Sequence, residues 1–216
     1  MAYRKVGGVP AKADVAAQAE FVETKLQPRL DKAKAGKRQV FFVDAAHFVY
    51  APFLGYLWCV CRLFIKAPSG RQRYNVLGAV NAITHEFFRF TNCGYINAES
   101  VCELLRRIRA GTTGPITLVM DNARYQHCAL VKALAKKLKI ELLFLPGYSP
   151  NLNLIERVWK FVKAEVLASR YLPTFDDFQK AIDGCLADLH GKHKPRMDTL
   201  LALRFQTFEN TPIWPA

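Results

Sequence analysis

The sequence lacks most of the features that anchor, staple or disorder a chain. Its start, MAYRKVGGVPAKAD, has basic residues with no apolar run behind them, which excludes a secretory signal of the usual kind. The one largely apolar stretch, Val40 to Cys61, contains Asp44, His47, Pro52 and Gly55. A carboxylate at mid-membrane costs ~2.5–3.5 kcal/mol on insertion scales, so this stretch reads as buried strands and a loop. Internal repeats and low-complexity tracts are absent. The six cysteines, Cys59, Cys61, Cys93, Cys102, Cys128 and Cys185, offer no paired CxxC spacing for zinc, and they are expected as reduced, packed thiols of a cytoplasmic protein. Acidic residues are scarce, 18 against 31 Lys+Arg, and the net charge of +13 favours a polyanionic partner, with nucleic acid ahead of a membrane surface.

What is present suits one globular core: 216 residues, 51% hydrophobic and 23% charged, too apolar for a disordered chain. Asp14 to about Lys34 is helix-like, with Asp14 as N-cap, Pro28 as a break or kink and Gly36 as the stop. Val40-Phe41-Phe42-Val43 reads as a strand buried on both faces and ended by Asp44. Asn75–Ala82 and Glu86–Thr91 form a hairpin turned near Thr84-His85. Asn97 caps a helix over Ala98–Ala110, with Gly111 at its end. Ile116–Met120 and Ile140–Leu145 are further buried strands, separated by a basic helix over Leu130–Leu138. Ser149-Pro150 opens another helix, along which Leu152, Ile155, Trp159, Val162 and Val166 make one apolar stripe. A helix from Thr174 to about Leu189 and a short one near Leu200 follow. Five strands with alternating helices predict a mixed α/β sheet.

Asp44 and Asp121 each follow a buried apolar run. On parallel neighbouring strands they would emerge side by side at the carboxyl edge where α/β sheets gather ligands. Glu156 would face them from the next helix. Three acidic side chains together call for a cation, and oxygen donors favour magnesium or manganese over zinc. Two such ions can activate an attacking oxygen and stabilise the leaving oxygen of a phosphodiester. Blander readings stand beside this one: a strand-end cap for Asp44, a turn starter for Asp121-Asn122, and an i,i+4 salt bridge between Glu156 and Lys160. Trp159 reads as core ahead of a base-stacking role, and His47 as a packed histidine.

The blocks Val40–Asp44, Leu118–Ala123 and Leu145–Trp159 resemble the catalytic domain of DDE transposases, most closely the bacterial insertion-sequence branch of the mariner-like superfamily. The likeness runs from about residue 38 to 190. It implies an RNase H-like fold, Asp44, Asp121 and Glu156 as catalytic ligands of two Mg2+ or Mn2+ ions, and DNA strand cleavage followed by strand transfer. It further implies transposon-end and target DNA as substrates and a homodimer as the working form. Relatives carry helix-turn-helix domains ahead of the catalytic part, whereas about 37 residues precede the first strand here, so a separate DNA-reading subunit is an expected partner. Many relatives follow the first Asp with Glu, where this chain has Ala45. Two other readings remain: a non-catalytic DNA-binding or self-associating remnant, and an RNase H-like nuclease.

The expected division is a helical appendage over 1–37, a catalytic domain over 38–190 and a basic extension over 191–216. Asn122 and Asn153 are candidates for holding the ligands or the phosphate from behind. Candidate phosphate contacts are Arg71 and Arg73 in a polar loop, Lys132, Lys136 and Lys139 on one helix face, Lys160 and Lys163 beyond Glu156, and Lys192, Lys194 and Arg196, in a segment with no evident apolar face.

Overall fold

A computed structural model describes residues 10–51, 60–62, 64, 72–168 and 170–208. Arg71 and Cys59 lie outside the described residues. The centre is a five-stranded sheet in the order β3-β2-β1-β4-β5, built from β1 (Gln39–Val49), β2 (Arg73–Asn81), β3 (Phe87–Asn92), β4 (Ile116–Met120) and β5 (Ile140–Phe144). The β1-β4-β5 pairs are parallel and the β1-β2-β3 pairs antiparallel, which is the mixed sheet the alternation predicts. β4 falls where its buried, mostly apolar run puts it.

β1 is much longer than its apolar run. Its parallel pairing with β4 covers Gln39 to Phe42, while its antiparallel pairing with β2 continues from Phe41 to Val49. Asp44 therefore does not end a strand; it stands mid-strand, where the parallel neighbour has already ended. The hydrogen bonds from β2 keep the backbone extended past a polar residue that would otherwise terminate it.

Helices cover both faces. α1 (Val15–Glu20), α2 (Gln27–Lys34), α5 (Ile155–Val162), α6 (Phe175–Ala187) and α7 (Lys194–Leu200) enclose a core with Phe42, Ala46, Phe48 and Val119. α3 (Ala98–Gly111) and α4 (Ala129–Lys137) enclose the other, with Phe41, Val43, Leu118 and Met120. The strand periodicity of two sorts these residues onto opposite faces.

Several local expectations change in the structure. Pro28 does not break the first helix: a wide i→i+5 turn, Phe21–Leu26, joins α1 to α2, and the proline sits in the first turn of α2, where a missing N–H is tolerated. Gly111 is the last residue of α3 rather than its cap, and its missing side chain makes room for the Phe88 ring, since a Cβ there would lie 2.7 Å from Phe88 Cε1. Ser149 makes no side-chain cap; Pro150–Leu152 form one 3-10 turn and α5 begins only at Ile155. Cys102 and Cys185 are buried, but Cys61 and Cys93 are exposed, outside the strands and helices that bury the others. No described helix is long and apolar enough to cross a membrane.

At the base of the sheet, Glu141 on β5 ties α2 to the strands. It accepts hydrogen bonds from Arg29 Nε at 3.0 Å and Thr117 Oγ1 at 2.8 Å, and pairs also with Arg38. Burial pushes its carboxyl up, but the bonds from Arg29 and Thr117 and the two guanidinium charges outweigh this and hold it at about 2, below the usual 4.5. A lowered pKa in the fold stabilises it above the unfolded value, and that contribution is lost as pH falls from about 4.5 through 2. Thermal melts should show Glu141→Gln less stable than wild type at pH 7, by about 1 kcal/mol for a half-exposed pair, with the gap closing towards pH 2.

Candidate active site

The register of β1 and β4 brings two carboxylates together. Phe42 pairs with Val119, so Asp44 and Asp121, each two residues further on, stand at matching heights. Both share a face with Phe42 and Val119, the face covered by α5. Glu156 lies in the first turn of that helix. All three line one cavity of about 220 Å³, walled also by Asn122, Tyr148, Ser149 and Asn153. In a chain of net charge +13, no lysine, arginine or histidine among the described residues lines this cavity.

Asp44 carries the electrostatic cost of the arrangement. Burial, then the charge of Glu156 and, less strongly, that of Asp121 push its carboxyl from 3.8 up to about 7. The backbone of Ala45 and the indole of Trp159 pull the other way without prevailing. Trp159 Nε1 donates to Asp44 Oδ2 at 3.1 Å, from a side chain only 2% exposed. Asp121 Oδ1 accepts from the Ala123 N–H at 3.3 Å, a bond that turns the chain after β4. Tyr125 is pushed up to about 12, by burial first and then by Asp121 and Asp44, so a protonated phenol stands near the two aspartates at neutral pH.

The two asparagines tie together the segments that carry the carboxylates. Asn122 Nδ2 donates to the Leu145 carbonyl at 2.8 Å, joining the chain after β4 to the chain after β5. Asn153 is 5% exposed, and its Nδ2 donates at 3.2 Å to the carbonyl of Val43, the residue before Asp44. Tyr148, at the turn between them, has a left-handed backbone with φ 55° and an exposed ring.

A cavity whose charged groups are three carboxylates, with no cationic side chain among its described lining, fits a hard divalent cation. The three carboxylates line its wall without closing around one point, and among the described residues no three His, Cys, Asp or Glu side chains do so. Glu156 and Lys160 form no ion pair. Lys160 points instead into an adjoining cavity that shares Pro150, Asn153 and Glu156 with the first and is also lined by Pro10, Arg157 and Phe208.

The other candidate cations are dispersed. Arg73 opens β2 opposite Val49, five strand positions beyond Asp44, or roughly 17 Å along the strand. Lys132, Lys136 and Lys139 are exposed on and just after α4, on the opposite face of the sheet from Asp44. Lys163 and Lys192 are exposed. Lys194 bonds to Asp198 at 2.7 Å, and Arg196 pairs with Glu165 while its guanidinium lies 4.6 Å from the Phe161 ring centroid. This segment does have an apolar face, because Met197 and Leu201 are buried, so its basic residues are partly occupied within the fold. His47, exposed, bonds through Nδ1 to Asn75 Oδ1 at 2.6 Å; strand alternation puts it on the face away from Asp44.

Trp159 and Tyr125 are the site residues that sequence reasoning missed. A buried indole N–H needs an acceptor, and that signal was available for Trp159, but the acceptor lies on a strand 115 residues away.

The sheet order, its helical layers and the placement of the carboxylates define an RNase H-like fold. It is shared with the catalytic domain of Mos1 mariner transposase, at 14% identity and a TM-score of 0.59 over 92% of this chain and 97% of that one. The Mos1 strand transfer complex matches at 17% and 0.62, and the Mos1 paired-end complex with left transposon end at 16% and 0.63, covering 96% and 95% of this chain and 68% of each of those. Residues 60–179 match the sequence profile of the DDE superfamily endonucleases, and the chain belongs to that family. Asp121 and Glu156 fall inside the matched span and Asp44 before it. No curated protein matches the chain by sequence.

Because the folded-state pKa of Asp44 is raised, its contribution favours the fold below the unfolded value near 3.8 and is lost as pH rises through about 7. In metal-free buffer, Asp44→Asn should therefore melt above wild type at pH 8, by on the order of 2 kcal/mol, and the difference should vanish near pH 4. Calorimetric or fluorescence melts across that range check it.

Proposed function

We propose that this chain is the catalytic domain of a transposase, a metal-dependent polynucleotidyl transferase that cleaves DNA strands and joins them to a target. One observation carries the reading: three carboxylates, one on β1, one just past the end of β4 and one on a facing helix, share a cavity that no basic side chain among the described residues lines, in a protein otherwise rich in them. Membership of the DDE superfamily endonucleases and the RNase H-like fold support it.

In this reading Asp44, Asp121 and Glu156 hold two Mg2+ or Mn2+ ions. When bound, such ions lower the cost of forming the attacking oxyanion and neutralise the leaving oxygen. The protein's part is to fix the ligands and orient the strand. Asn122 and Asn153 hold the ligand-bearing segments to their neighbours, while the protonated Tyr125 phenol lends a donor near the aspartates. Lys160 on α5 and Lys163, just past its end, follow Glu156 at about one and two helical turns, roughly 6 and 10 Å, and hold phosphates flanking the scissile one. Arg73, Lys192 and the exposed lysines of α4, Lys132, Lys136 and Lys139, supply more distant contacts to DNA. The chemistry sits within 38–190, the partners are DNA ends and target, the working form is a homodimer, and a helix-turn-helix subunit reads the ends.

Nicking of supercoiled plasmid tests this. Wild type should nick in magnesium or manganese, and Asp44→Ala, Asp121→Ala and Glu156→Ala should each fall by at least 100-fold while still binding DNA. Nicking that survives all three sinks the reading, and DNA binding without nicking under any ion favours a non-catalytic remnant.

The lysines make a separate prediction. Lys160→Gln and Lys163→Gln should each reduce the slope of log affinity against log salt by about 0.7–0.9, one phosphate apiece, in filter binding or anisotropy titrations.

A further inference from the structure

We propose that Trp159 is a positioning residue for the first carboxylate and that Gly78, directly across the sheet from Asp44, is the gap that lets its indole reach. The inference rests on the reading of the acidic cavity as an ion site. Gly78 is the register partner of Asp44 between β1 and β2. Its φ is not positive, so backbone freedom does not explain it. Space does: a Cβ there would lie 2.7 Å from Trp159 Cη2 and 2.7 Å from Phe87 Cζ, closer than real Cβ contacts allow, and a tight 3.1 Å from Ile155 Cδ1.

The indole is locked in that gap. Phe48 and Phe87 meet it edge to face, with centroids at 6.2 and 6.0 Å and planes at 82° and 83°. Nε1 then has one direction in which to donate, to Asp44 Oδ2 at 3.1 Å. Among the described residues this is the only side-chain hydrogen bond to Asp44. It holds Oδ2 of the carboxylate from the α5 side, while the Ala45 backbone holds the group from its own strand. Trp159 also lies one turn from Glu156 on α5, so the same helix that presents the third carboxylate steadies the first.

Outer groups that hold a metal ligand are commonly worth 10–100-fold in metal affinity. The test uses the full chain and Mn2+ as probe, read by electron paramagnetic resonance and by the Mn2+-induced rise in Tm. Trp159→Phe keeps an aromatic ring and removes the donor, and Mn2+ affinity should fall at least 10-fold. Gly78→Ala should lower it by a similar factor without touching any carboxylate, because the methyl displaces the indole. In the double variant the smaller ring relieves part of the clash, so the metal-free Tm should rise above that of Gly78→Ala while Mn2+ affinity stays low. A purely packing role would restore both together. Wild-type Mn2+ affinity in Trp159→Phe overturns the positioning role alone. A wild-type protein that does not bind Mn2+ overturns the cavity's reading and this role with it. If Gly78→Ala fails to fold, Trp159→Phe decides by itself.

Discussion

Repulsion among half-buried carboxylates is the constraint around which the rest of this molecule is arranged. Two aspartates at matching heights on neighbouring strands, and a glutamate facing them, form an unfavourable cluster that side-chain entropy and hydration would disperse if the backbone allowed it. The backbone does not allow it. β1 is clamped on one edge by β4 and on the other by β2, both faces of the sheet are sealed by apolar cores, and α5 is pinned by five buried residues, Ile155, Val158, Trp159, Phe161 and Val162. The apolar layers thus sustain an arrangement that the polar groups alone would not adopt.

Positive charge is divided between two tasks. Some of it builds the fold: Arg29 and Arg38 grip Glu141 beneath the sheet, Arg107 covers the Phe90 ring, and Arg196 covers Phe161. Other residues, such as Lys132, Lys136, Lys160 and Lys163, project from helices with no ion-pair partner among the described residues. The formal charge of +13 therefore overstates the charge free to meet a polyanion. An isolated basic residue on a chain says less than its neighbours' acidic and aromatic partners do.

Local rules carried much of the fold, and they stopped where distant pairing took over. β4 is apolar but for Thr117, and Asn97 and Thr174 cap their helices through Ser100 and Asp177 as their residue types require. The extension of β1 past Asp44 depended on hydrogen bonds from β2, some 30 residues on, which no local pattern encodes. Ser149-Pro150 looked like a helix start, but Asn153 is drawn to the Val43 carbonyl and delays the helix to Ile155. In the cavity the acidic residues were legible because each followed a recognisable run. Trp159 was legible only as core, since its polar atom and its acceptor belong to different parts of the sequence. Arg196 looked free because Glu165 and Phe161 become its partners only after folding, whereas the i,i+4 pair of Lys194 with Asp198 was local and legible in the sequence.

Arg157 follows Glu156 directly and donates to the carbonyls of Leu200 and Ala202 at 2.8 Å, and to that of Arg204. A single guanidinium thereby gathers three alternate carbonyls between the end of α7 and Arg204, and burial lowers its own pKa. The pitch of the helix that presents Glu156 is consequently read out at residues 200–204, about 45 positions downstream. Displacement of that stretch would break these three bonds and so bear on the helix that carries the third carboxylate from outside the cavity.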